Sequence, residues 1–563
     1  MPRWWMQGVM ITGTGTPSHG NLFLEQTLNF DTQCIMKKII LILAVLGMSA
    51  CTDILDLEPA SINSGEKFWE EGKASVEKAV AGIYSQLRQP FADGRWIIYG
   101  DLASEFTVRY NSHSWWGYFP VTEVDNENDR TYNHERLDFY RNWSAYYKAV
   151  SAANIVIRHT GEMPVEEFGG NSTEAARLKN SYLGEAYFLR ALAYFYMVRI
   201  WGDLPIYKEG IESASDLVNE NGETKDLAAS PEIDVLHFIQ EDVAKAVSYL
   251  SYDKPGSSTW AIRASKASAQ ALKAHVNTWL ANREPANRTT LLNSAISCID
   301  SVETYGGYTP VNYDNAAAMK GMFKGRSSES IFEIHISASD NESFRCDAGD
   351  FKTLTLFPDR TNYTFIFQLY NEDRDKLYVS GDKRKAFFTN WERGKPWSEM
   401  NMPGDSPDEW TGTTVAKYEF FKHDDKEDPL VKDAYFVDAS MPVFRLSELK
   451  LLKAEILAKA GRPGDARIAL NESRTRCGIG NFSGPDDQLI VEIIKERARE
   501  LVGEGHSYFD RIRNNYFDGM TSMDDARIAG KGYYWPVAYK LTLTNKALKQ
   551  QPYWKGKVPE IID

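Results

Sequence analysis

Cysteine is scarce: five residues in 563, at 34, 51, 298, 346 and 477, with no CxxC pair and no metal-ligand spacing. That excludes a disulfide framework and a cysteine-built metal site. No apolar run approaches the ~20 residues that a spanning helix needs. Excess positive charge is also missing, since the formal net charge is −14. A phosphate-binding surface needs a basic field, so nucleic acid is not an expected partner.

Catalytic signatures are missing too. There is no HExxH, and Gly505-His506-Ser507 lacks the spacing of a nucleophile elbow. GTGTPSHG, starting at Gly13, lacks the Lys-Ser/Thr that completes a phosphate loop. Asp125 to Asp129 alternates oxygen ligands as a calcium loop does, but Arg130 stands where glycine is needed and Arg136 where the closing glutamate belongs. The expectation is therefore no metal and no cofactor. Glu496, Glu500 and Glu504 share one helical face. Glycoside hydrolysis needs two carboxyl groups on opposite sides of a scissile bond, whereas neighbours on one helix, interleaved with Arg497 and Arg499, fit i,i+4 ion pairs.

What is abundant is apolar helix and aromatic side chain. The stretch Tyr182 to Tyr207 carries Leu189, Leu192, Ala193, Tyr196 and Ile200 on one face and Tyr187, Ala191, Tyr194, Val198 and Trp201 on a second. A helix apolar on two faces is buried. Gly202 and Pro205 stop it. Arg190 and Arg199 inside it are expected to meet carboxylates or carbonyls. Further helices are expected around Val76 to Ile83, Asn142 to Thr160, Pro231 to Leu250, Lys266 to Asn282 and Leu291 to Val302. The sequence from Val443 to Phe482 reads as helix, turn, helix, turning at Gly461, Pro463 and Gly464. Between about Tyr305 and Ser440 the helical period fades. Ser330 to Ser337 alternates like a strand, and short strands are expected near Ala416 to Phe421.

Residues 1–35 read as no targeting segment. Met36 then starts a secretion signal, with Lys37 and Lys38 before the apolar core Ile39 to Leu46 and Met48-Ser49-Ala50-Cys51 after it. Small residues before a cysteine resemble a lipobox, at which Cys51 would be acylated. The expected division is a non-native upstream extension over 1–35, a lipoprotein signal over 36–50 and one domain over 51–563. Within that domain 51–304 is helical, 305–440 is loop-rich and holds ligand contacts, and 441–563 is helical again.

Several of these stretches carry a family resemblance. GEAYFLRALAYFYMVRIWGDLPIY, the Trp143-Tyr146-Tyr147 pattern, the ER…EL…EG…FD..R run through Glu496, Arg497, Glu500, Leu501, Glu504, Gly505, Phe509, Asp510 and Arg513, and the closing Pro536, Asn545, Leu548, Gln550, Pro552 and Tyr553 occur in register. The chain thereby resembles the SusD/RagB family of outer-membrane nutrient-binding lipoproteins. The resemblance implies a mainly α, SusD-like fold with tetratricopeptide-like helical pairs and an irregular region with short strands. It implies a protein that captures an oligosaccharide or polysaccharide without being an enzyme and hands it to a SusC-like TonB-dependent transporter. It also implies a lipid anchor on Cys51 in the outer membrane, facing outward. An extracellular glycoside hydrolase and a protein-binding helical-repeat adaptor are the alternatives.

Aromatics make up 13% of the chain, and flat amphipathic rings suit sugar faces. Trp115 and Trp116, flanked by Asn111, Ser112, His113 and Ser114, cannot both be buried, so one of them with Tyr118 is the leading candidate platform. Trp96, Phe344, Phe357, Trp391, Trp397 and Trp410 are further candidates. Arg374, Lys376, Lys383, Arg384, Lys385, Arg393 and Lys395 could form a local basic field for an acidic ligand.

Overall fold

Asn171 begins the helix around which the fold is organised. Its side chain accepts hydrogen bonds from the backbone of Thr173 (3.1 Å) and Glu174 (3.0 Å), capping Ser172–Trp201. The helix starts earlier than its apolar faces suggest, because its first turns are polar and held by this cap. Gly202 ends it at φ 75°, donating to the Val198 carbonyl at 3.0 Å. From Tyr182 to Trp201 every residue except Tyr187 is buried.

A computed structural model of the protein describes residues 66–92, 95–104, 138, 140–337, 368–370, 377–390, 412–415, 417–418, 421–423, 435–437, 439–520 and 523–558. All lie in one compact unit, Glu66–Asp563. Cys51 and the signal segment fall outside the described residues.

The longer helices are α1 (Lys73–Ala92), α2 (Arg95–Gly100), α3 (Ser144–Glu162), α4 (Ser172–Trp201), α5 (Glu232–Tyr249), α6 (Lys266–Ala281) and α7 (Arg288–Tyr305). From α3 to α7 each packs against the next in sequence, and α1 against α3. The strands follow: β1 (Ser330–Ile334), β2 (Gln368–Tyr370), β3 (Phe388–Asn390), β4 (Gly412–Val415), β5 (Phe421–His423), β6 (Tyr435–Val437) and β7 (Met441–Arg445). Last come α8 (Leu446–Lys459), α9 (Pro463–Arg476), α10 (Leu489–Leu501) and α11 (Ser507–Asn514). The protein is mainly helical, with paired helices as its frame.

β1 and β7 pair antiparallel, Ser330 opposite Arg445 and Ile334 opposite Met441. This joins the two ends of the stretch that lacks helical period. The other strands form a β2-β4-β3 sheet and a β5-β6 pair. The short strands expected near Ala416 to Phe421 are β4 and β5, on either side of Lys417 and Tyr418, whose side chains are drawn into the core. Among the described residues no helix is long and apolar enough to cross a membrane.

The two arginines in α4 are satisfied differently. Arg190 forms two 2.7 Å bonds to Asp242 and one of 2.6 Å to Asn154. A planar guanidinium matched to a carboxylate this way is the arrangement that burial tolerates best. Arg199 of α4 lies over the rings of Phe195, Tyr196 and Phe509 at 4.4–4.5 Å and donates to the Phe195 carbonyl.

Candidate ligand-binding site

α10 and the turn after it are where side chains from distant parts of the chain converge. Leu489, Ile493 and Leu501 are buried, and so are Glu496, Glu500 and Glu504. A buried carboxylate is tolerable only if cations and donors meet it. Glu496 accepts from Arg384 (2.7 Å), Arg499 (2.5 Å) and Arg474 (3.2 Å). Glu500 accepts from Arg445 (2.9 Å), Arg384 (3.4 Å) and the Tyr313 hydroxyl. Glu504 accepts from Lys417 (2.6 Å) and Arg445 (2.8 Å).

The expectation of i,i+4 pairs is thus corrected. Only Glu496 with Arg499 is a local i,i+3 pair, while the other partners arrive from β7, from α9 and from the stretch between Leu377 and Tyr418. Arg497 turns instead to Glu448 (2.8 Å) and Asp510 (2.7 Å). Arg384 is likewise removed from the proposed basic field, because its side chain is wholly buried between Asp382 and Glu496.

Burial alone would push the Glu500 carboxyl up, but Arg445, then Arg476 and Arg384, outweigh it and hold the group well below the usual range. The same balance lowers Glu496 and Glu504. Lys417 moves the other way for a base: burial draws its ammonium down to about 8, against the pull of Glu504.

Two distant stretches of the chain meet at the turn after α10, one at Lys417-Tyr418 and one at Trp96–Asp101. The Tyr418 hydroxyl donates to the Gly503 carbonyl (3.0 Å), and Lys417 Nζ reaches the Glu500 carbonyl (2.8 Å). On the other side, Asp101 accepts from Gly505 N (2.7 Å) and Ser507 N (3.3 Å). Burial lifts its carboxyl to about 6, opposed by those two donors. Gly100 lies so close to Gly505 that a Cβ would run into its backbone. Trp96 packs edge-on to Tyr418, ring centroids 5.9 Å apart.

Trp96 is therefore not a platform. It sits on α2 with 2% of its surface exposed, a core residue joining the two segments. The stretch from Trp96 to Asp129 reads as loop-rich, but Ile97, Ile98 and Tyr99 complete a buried helical turn with Trp96.

Trp115, Trp116, Tyr118, Phe344, Phe357, Trp391, Trp397 and Trp410 lie outside the described residues. What the frame defines is where their segments begin and end. Trp391, Trp397 and Trp410 fall in sequence between Asn390 and Thr413, which are cross-strand partners. Trp115, Trp116 and Tyr118 fall between Ser104 and Asp138. Near those ends the Tyr99 hydroxyl donates to the Tyr140 carbonyl (2.6 Å), and Asp138 accepts from Tyr539 N (2.7 Å). Phe344 and Phe357 fall between β1 and β2.

The positioning residues Asp101, Lys417, Tyr418 and Arg445 were not singled out from the sequence. Only the ER…EL…EG pattern pointed at the helix on which they converge.

The chain matches two family models in succession. One, described as starch-binding and associating with the outer membrane, spans residues 53–277; the other, the SusD family, spans 359–554. SusD-like protein P38 of Formosa agariphila is 25% identical over 555 residues, 91% of this chain and 98% of that protein. Starch-binding protein SusD of Bacteroides thetaiotaomicron is 28% identical over a shorter stretch of 145 residues, 25% of this chain and 24% of that one. The crystal structure of a SusD homologue from Bacteroides thetaiotaomicron superposes with a TM-score of 0.68 at 22% identity, over 86% of this chain and 98% of that one. Successive family models, a relative aligned over nearly its whole length and the helical frame agree: the chain belongs to the SusD/RagB family.

Proposed function

We propose that the protein is a cell-surface lipoprotein that binds a glycan without cleaving it and passes it to a SusC-like TonB-dependent transporter. The observation that carries this reading is the succession of the two family models along the chain, one of them described as starch-binding and associating with the outer membrane. The frame supports binding over hydrolysis, because the three carboxylates of the ER…EL…EG run are each engaged by a cation in the core. Glycoside hydrolysis requires such groups on either side of a bound sugar. Anchoring is through acyl chains on Cys51, each buried CH₂ contributing roughly 0.8 kcal/mol, so that more than one chain holds the protein firmly at the outer face.

The test is to incubate the purified protein with soluble starch and a panel of oligosaccharides, measuring both capture and chain length. Capture with sugar lengths unchanged is the expected result. Shorter products would overturn the reading in favour of a hydrolase, and neither capture nor cleavage would favour a protein-binding adaptor. Cys51→Ala is expected to leave the protein in the wash after detergent-free fractionation. Recovery of the neighbouring transporter with the lipoprotein in mild detergent tests the partnership.

A further inference from the structure

Tyr305, the last residue of α7, leaves 67% of its surface in water, against 37% for Tyr539. Exposed single apolar residues are ordinary, but this ring has a neighbour. The Tyr252 ring lies 5.8 Å away, tilted by 44°, and its hydroxyl donates to the Ser301 carbonyl of α7 at 3.3 Å. One ring is therefore fixed and half-buried, the other wet, and together they form an angled ledge.

The ground beneath the ledge is rigid. Gly307 adopts φ +73°, and a Cβ there would meet Pro255 at 2.9 Å, so the turn after α7 and the loop carrying Tyr252 are in close approach. Tyr308 packs on Trp260 at 4.7 Å, and the Trp260 indole donates to the Ser327 carbonyl at 2.9 Å. Asp253 ties its own loop together, accepting from Ser257 (2.7 Å), Thr259 (3.0 Å) and Lys254 N (2.8 Å). Glu303, two residues before Tyr305, is engaged by Lys453 at 2.5 Å. The carboxylates beside the ledge are thus already satisfied, and what it offers a ligand is ring face.

We infer that Tyr252 and Tyr305 form a second binding ledge for a neutral glycan, separate from the stretches that meet at the turn after α10. The CH-rich face of a sugar against a phenol ring removes apolar surface from water on both sides, and a rigid ring loses little entropy in doing so. This inference rests on the reading of the protein as a glycan binder. Two sites that engage one polymer raise its retention beyond that of either alone.

Affinity electrophoresis of the full protein in gels containing soluble starch, laminarin, xylan or galactomannan tests it. The wild type is expected to be retarded by at least one polymer. Tyr305→Ala should weaken that retention about tenfold, Tyr305→Phe should preserve it, and neither should change the melting temperature. Tyr252→Ala should act in the same direction as Tyr305→Ala. Equal retention of wild type and Tyr305→Ala would overturn the ledge while leaving the glycan-binding reading intact. A wild type retarded by none of the four polymers would overturn both.

Discussion

Arg384 Nη1 lies 2.7 Å from Glu496 Oε1, with both side chains wholly out of water. The same guanidinium spans Asp382 (2.8 Å) and Glu500 (3.4 Å), so one residue of the irregular region serves three buried anions. Arg384→Met leaves Asp382 without its cation and is expected to cost about 3–5 kcal/mol of stability. Denaturant midpoints check this. As a control, Lys78→Ala breaks a pair with Glu71 whose side chains are 62% and 57% exposed, and should move the midpoint by less than about 0.5 kcal/mol.

Stability is expected to collapse in acid. Burial works against the charged forms of Glu448, Glu455, Glu496, Glu500, Glu504 and Asp510, but their cationic partners prevail and lower all six. A group lowered on folding contributes stability above its unfolded value, here 4.5 for Glu and 3.8 for Asp, and loses it as pH falls. His506, drawn down by burial from 6.5 to about 4, adds the same sign between those values. Asp101, raised from 3.8 to about 6, opposes them: its contribution is complete below 3.8 and lost as pH rises through 6. Scanning calorimetry from pH 8 to 3 should show the melting temperature falling steeply below about 4.5, and a flat profile would contradict the ion-pair core.

Gly100→Ala places a methyl group against the Gly505 backbone, where no side chain can swing aside. Overpacking of this kind costs about 1–3 kcal/mol. The expected result is a lower melting temperature together with weaker glycan capture, because α2 precedes the stretch carrying Trp115 and Trp116 by only a few residues. Wild-type behaviour in both would show that the turn after α10 does not position them.

Replacing Trp115 and Trp116 together by Ala is expected to abolish capture of the glycan found for the wild type while leaving the melting temperature unchanged. Reaching 1 μM needs about 8.2 kcal/mol; two or three stacked rings with a few hydrogen bonds give affinity of that order or weaker, so losing a pair is decisive. A folded double variant that binds as the wild type does would remove this pair from the site.

How much was legible depended on whether a signal was local. α4 could be read from its two apolar faces, and its end from Gly202, because both follow from helical spacing alone. The helix pair from Leu446 to Arg476 was equally open to reading. Glu496 and Glu500 were correctly placed on one helical face, whereas Glu504 lies in the turn beyond the end of α10 at Leu501; what meets the three comes from Arg384, Lys417 and Arg445, far away in the chain. Charge spacing within a helix says nothing of such partners, so a buried ion-pair core read as local pairs along one helix. Trp96 was misplaced for the converse reason: it heads a stretch dense in aromatics that reads as loop-rich, and its burial comes from the approach of Tyr418 and Gly505.

The pairing of Ser330–Ile334 with Met441–Arg445 has an evolutionary consequence. It brings the two ends of the irregular region together, so the helices before and after it meet whatever length of chain intervenes. Closing a longer loop is cheap, about 0.6 kcal/mol for each doubling of a flexible segment. Insertions and deletions that fall between the region's buried anchors Arg384, Lys417 and Tyr418, rather than on them, can therefore accumulate at little cost to the helices on either side. A lineage can lengthen or shorten the chain there without redesigning its fold.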